Sequence, residues 1–185
     1  MSETTVRETM LSLPIDALAA VHRALADGRT PAEAAEAARR LGFETGPGFH
    51  RALEEWLAST GSGDPSSLDP DAFWERLSDF FAAKGWGRLD FERLHPGVAA
   101  LSSDEWAEAD TQASASYPAC HFTTGLLADL LGRASGADLA VLEVECRSKG
   151  DARCRFLVGG WDALERVYDE LSTGSPYSES IQRLA

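Results

Sequence analysis

The chain has 185 residues, 30 acidic against 17 basic, with a net charge of −13 at pH 7. Such a surface repels phosphate backbones, which argues against general nucleic-acid binding. No apolar run reaches the roughly 18 residues needed to cross a bilayer, and Met1–Glu8 lacks the basic start and apolar stretch of a secretory signal. The expectation is a cytoplasmic protein with reduced thiols, where clustered cysteines point to metal before disulfide. An apolar fraction of 44% is enough for a buried core.

Residues 1–60 read as a helical region for packing or dimerisation. A first helix runs from Pro14 to Ala26, with Ile15, Leu18, Val21, His22 and Leu25 on one face, and Gly28 closes it. Thr30-Pro31-Ala32-Glu33 has capping-box spacing with proline at the first helical position. The helix it starts is predicted to stop at Gly42, and a third to span Gly48–Ser59 with Phe49, Leu53, Trp56 and Leu57 inward. Residues 61–68 read as a linker. Asp69-Pro70 then caps a helix carrying Phe73, Trp74, Leu77, Phe80 and Phe81.

Trp86–Leu94 alternates, with Leu89 and Phe91 against Arg88, Asp90 and Glu92, which predicts a half-buried strand. His95-Pro96-Gly97 turns the chain into a partner strand over Val98–Leu101. Ser103 is expected to cap a short helix with Trp106, and Pro118 to open a longer one through Phe122, Leu126, Leu127, Leu130 and Leu131. Leu139–Cys146 and Arg153–Val158 form a predicted hairpin, Trp161–Leu171 a final amphipathic helix, and 175–185 a loose tail. The fold class is α+β, a small antiparallel sheet backed by helices, with the main domain over 69–174.

All three cysteines lie between positions 120 and 154. Cys146 and Cys154 are symmetric about Gly150, so a hairpin pairs them across two strands, where Cβ atoms stand about 4.5–5.5 Å apart. Two such thiolates can reach one zinc at about 2.3 Å each. Cys120 sits at the start of a helix, whose positive end favours the thiolate. Glu143, Glu145 or His121 could complete a tetrahedron. Three buried thiols without metal, or a Cys146–Cys154 disulfide, fit the same spacing.

The stretch from Cys120 through Gly125-Leu126 to Glu143-Val-Glu-Cys146, Gly150-Asp151 and Cys154-Arg-Phe156 closely resembles the four-vinyl-reductase-type domain. In aromatic-sensing members of that family, the effector domains of phenol-responsive transcription activators, these positions hold zinc. The resemblance extends over roughly 69–172 and selects Cys120, Glu143, Cys146 and Cys154, leaving out Glu145 and His121. Four protein ligands leave no open coordination position, so the implied zinc is structural and not catalytic. The resemblance also implies an apolar cavity between sheet and helices, for which Trp86, Phe91, Trp106 and Phe122 are candidate lining residues.

His22 and His50 read as helix-face histidines and His95 as a solvated turn residue. No nucleophile elbow, phosphate-cradling glycine loop or catalytic triad is recognisable. The expected function is a non-enzymatic, zinc-containing, homodimeric protein that binds a small apolar or aromatic molecule and signals through a protein partner. The alternatives are an accessory or carrier in tetrapyrrole metabolism, and a dimeric scaffold related to vesicle-tethering subunits.

Overall fold

A computed structural model describes Met10 and residues 14–184, apart from the side chains of Ile15 and Ser66. The N-terminal octapeptide read for a leader, the Ile15 side chain and Ala185 lie outside the described residues. The elements in chain order are α1 (Ile15–Ala26), α2 (Pro31–Ser59), α3 (Pro70–Ala83), β1 (Asp90–His95), β2 (Val98–Ser103), α4 (His121–Ser135), β3 (Ala140–Glu145), β4 (Cys154–Gly159), α5 (Trp161–Ser172) and α6 (Tyr177–Gln182). Short 3₁₀ turns occupy Pro65–Ser67 and Arg147–Lys149. The strands form one antiparallel sheet in the order β1-β2-β4-β3. The class read from the sequence, α+β, is the one observed.

The sheet is covered on both sides. Leu101, Phe156 and Val158 point into the larger core, built with Leu53, Leu57, Phe80, Phe81, Leu126 and Leu130 of α2, α3 and α4. Val98, Ala100 and Leu157 point the other way, against Leu164 and Val167 of α5 and Ile181 of α6. Period-2 alternation along each strand thus supplies two apolar faces.

Four sequence-based expectations change. The two helices expected over 31–59 are one, α2, which starts at the predicted Thr30/Glu33 capping box and carries Pro47 inside it. Gly42 is not a stop but a crossing point. A Cβ there would lie 1.9 Å from the Phe122 carbonyl oxygen, and one on Gly125 would lie 1.9 Å from the Arg39 carbonyl oxygen. Each glycine lets the other helix's backbone approach, as small residues do wherever helices cross closely.

The short helix expected after Ser103 is absent. The Ala107 N–H donates to the Trp86 carbonyl at 2.9 Å, so this backbone is spent on a tertiary bond. The helix expected from Pro118 begins at His121, with Cys120 at its N-cap. The tail is not loose: α6 buries Ile181, Tyr177 donates a hydrogen bond to Glu145, and Arg183 pairs with Glu170 at 2.5 Å.

The glycine crossing can be tested against helix propensity. Gly42→Ala and Gly125→Ala should each lower stability by about 1–3 kcal/mol in chemical denaturation, although alanine favours helix. Gly48 has nothing within 4 Å of its would-be Cβ, so Gly48→Ala should stabilise by up to about 1 kcal/mol.

Candidate metal centre and cavity

Cys120, Glu143, Cys146 and Cys154 are all buried, and one donor atom from each lies within 4.8 Å of every other. Their convergence depends on an irregularity in β3. On a regular strand, residues three apart face opposite sides of the sheet. Here the ladder runs Leu142↔Leu157 and Glu143↔Phe156, then shifts to Glu145↔Arg155. The extra residue, Val144, is a bulge that turns Cys146 back to the face of Glu143. Cys146 itself lies one residue beyond the ladder, ahead of the 3₁₀ turn, so it is not a paired strand residue as expected.

The sulfur spacing suits a tetrahedral ion. Cys120 Sγ lies 3.9 Å from Cys146 Sγ and 3.7 Å from Cys154 Sγ. Ligand bonds of about 2.3 Å in a tetrahedron require sulfurs about 3.8 Å apart. Glu143 Oε2 accepts the Cys120 backbone N–H at 2.8 Å, while Oε1 is buried with no hydrogen-bond partner. An acidic oxygen orphaned beside three thiols is an open valence aimed at a cation. The donor set therefore fits a thiophilic divalent metal. Glu145 instead pairs with Arg153 at 2.7 Å, and His121 is not in the cluster.

Electrostatics give the same answer. Contacts with Cys146 and Cys154, then burial, push the Cys120 thiol well above its ordinary range. Burial and the Cys146 sulfur push the Glu143 carboxyl up to about 9. For Cys154, hydrogen bonding to Cys120 pulls down, but contact with Cys146 and burial push the thiol up to about 12. Cys146 moves oppositely, held low by hydrogen bonds from Cys120, Cys154 and the Ala119 N–H. Four buried acids thus share a single negative charge, because a second would be unscreened.

Two carboxylates outside the cluster hold its frame. Asp151 accepts the Cys146 N–H at 2.7 Å, and Glu108 accepts the N–H groups of Phe122 and Thr123 at 2.9 and 2.7 Å. His22 Nε2 of α1 lies 3.2 Å from Glu108 Oε1, giving that helix-face histidine a tertiary neighbour. Sequence reasoning missed Glu108 because it caps a helix from 14 residues away, where no local pattern marks it.

Of the four candidate lining residues, three pack on one another. Trp86 stacks on Phe122 at 5.9 Å and 9°, and Trp106 lies 5.7 Å from Trp86 with its indole N–H on Thr123 Oγ1. Phe91 sits apart, stacked on Trp74 at 4.4 Å, and lines a cavity of about 530 Å³ between α3, β1 and the C-terminal half of α4. Phe73, Trp74, Leu131, Leu139 and Val158 belong to its apolar wall, with Arg93 and His95 also in the lining. His95, expected in solvent, is thus at the cavity. A second hollow of about 660 Å³, between α1 and α2, is bordered by Arg29, Glu33, Glu36, Arg40 and Glu44, as expected of solvated helix faces.

Residues 101–160 match the model of the four-vinyl-reductase-type domain. This segment runs from β2 through β4, holds all four donors, and bears out the resemblance read from the cysteine spacing. No curated protein matches the sequence. Three solved structures share the fold. The phenol-responsive sensory domain of the transcription activator PoxR, with phenol, is 22% identical, with a TM-score of 0.64 over 90% of this chain and 84% of that one. A vinyl-4-reductase family protein from Methanocaldococcus jannaschii is 18% identical, with a TM-score of 0.53 over 80% and 82%. A trafficking protein particle complex subunit 3 from Naegleria fowleri, covalently bound to palmitic acid, is 13% identical, with a TM-score of 0.59 over 78% and 91%.

Glu108→Ala strands two buried N–H donors at the first turn of α4. It should cost about 1–3 kcal/mol and accelerate hydrogen exchange at Phe122 and Thr123 ahead of the β-sheet amides.

Proposed function

We propose that this chain is a non-enzymatic sensory protein. A structural zinc held by Cys120, Glu143, Cys146 and Cys154 secures the segment that matches the family, and the cavity beside Phe91 takes a small apolar ligand. The convergence of four buried donors, one with an orphaned oxygen, carries the zinc reading. All four positions are filled by protein groups, which suits a structural role. Such a site would tie the start of α4 to β3 and β4, and a binding free energy of about 10 kcal/mol or more would become folding free energy. Three reduced thiols require a reducing compartment, in keeping with a cytoplasmic protein.

The likeness to a phenol-responsive sensory domain favours a ligand of similar chemistry. In this reading the ligand biases how α1 and α2 pack, dimerise or meet a protein partner. The covalently acylated trafficking subunit suggests a scaffold as the second reading. All three cysteines here belong to the cluster, which leaves no thiol for acylation and favours a reversible ligand.

Elemental mass spectrometry of untagged protein should find about one zinc per chain, and Cys154→Ser should lose both metal and cooperative folding. A folded wild-type protein without metal would remove the zinc from this reading. Zinc binding to the metal-free chain should release protons, because Cys120, Glu143 and Cys154 are raised above neutral pH. Calorimetry in buffers of different ionisation enthalpy measures that release. Phenols or acyl compounds should raise the midpoint of thermal unfolding by linkage, whereas a scaffold would show dimerisation and no shift.

A further inference from the structure

We propose that the cavity takes an apolar molecule ending in a carboxylate, with Arg93 and His95 receiving the anion; the proposal rests on the ligand-binding reading above and names its ligand class. The first observation is the charge of the lining. The chain carries 30 acidic residues against 17 basic ones. Among the described residues, however, the lining contains no Asp or Glu, and its ionisable groups are Arg93 and His95. An acid-free, cationic lining on a protein of this net charge is a local inversion of sign, and it selects for anions.

The second observation is how these donors are left. Phe91, Arg93 and His95 alternate along β1 and all line the cavity, so the strand's pleat aims them at one space. Across the ladder Arg93 faces Ala99, a small residue beside the guanidinium stem. The neighbouring acid Glu92 is engaged elsewhere, accepting a hydrogen bond from Arg155 at 2.6 Å. Arg93 makes no ion pair among the described residues. His95 Nδ1 accepts the Gly97 N–H at 3.2 Å, which places the proton of the neutral ring on Nε2 and leaves that N–H as a donor.

A guanidinium and an imidazole N–H offer donors only, and a carboxylate offers acceptors only. Bidentate pairing with Arg93 would add charge-assisted bonds that a neutral head group cannot reproduce. The wall behind them, with Trp74 stacked on Phe91, suits an acyl or aromatic body. A volume of about 530 Å³ lies in the range of small-molecule sites.

The test compares decanoate with 1-decanol by isothermal titration calorimetry on the full chain as purified. The wild type should bind decanoate on the order of tenfold more tightly than the alcohol. Arg93→Met should abolish that preference and keep binding of the alcohol. Arg51→Met, which removes an exposed α2 arginine outside the cavity, should leave the preference intact. Equal binding of acid and alcohol by the wild type would overturn the carboxylate assignment while leaving the apolar-ligand reading standing. Loss of the preference in both variants would reduce it to general charge attraction and overturn the assignment equally. Binding of neither probe would overturn both readings.

Discussion

Four acidic groups meet in a space closed to water, at the point where α4 starts, β3 ends and β4 begins. Without a cation the cluster accommodates one negative charge, and the other groups keep their protons against burial. With a divalent ion the same burial becomes favourable, since each donor loses a proton and gains a ligand bond. The rest of the family-matched segment follows from that requirement. The bulge at Val144 turns Cys146 to the face of Glu143, Asp151 holds the Cys146 amide, and Glu108 satisfies the first turn of α4.

The second constraint is the close approach of α2 and α4. Reciprocal contacts at Gly42 and Gly125, each closed to a Cβ by the other helix's backbone, make α2 part of the same core as the family-matched segment. Phe81, Trp86, Trp106 and Phe122 fill the space next to that crossing. The aromatic cluster is therefore packing for the metal-bearing helix. The open volume lies further along the chain, where Leu131 at the far end of α4 and Leu139 beyond it face β1 and α3. Cavity and cluster thus share a helix but not a wall, and a ligand there could reach the cluster's end of the molecule through α4. That separation matches a structural ion beside a ligand site that does no chemistry on it.

Much of this was legible in the sequence. The spacing of Cys120, Glu143, Cys146 and Cys154 carried the donor set through the family resemblance, and alternation and capping patterns located most strands and helix starts, including Thr30/Glu33. The α+β class followed from the order of those patterns. These features are local, set within a few residues by side-chain periodicity or by a fixed motif.

What only the tertiary structure decided involves partners distant in sequence. Gly42 reads as a helix stop until Gly125 comes against it, and Glu145 rivals Glu143 until one is seen in the cluster and the other on Arg153. Trp86, Trp106 and Phe122 look like cavity walls until they are seen to touch one another, and Tyr177 belongs to a loose tail until Glu145 accepts its hydroxyl. Arg93 shares its strand face with Phe91 by alternation alone, but the acid-free lining around it is a property of several separate segments meeting in space. Periodicity fixes which way a side chain points; what it meets there depends on long-range packing, which one short stretch of chain does not encode.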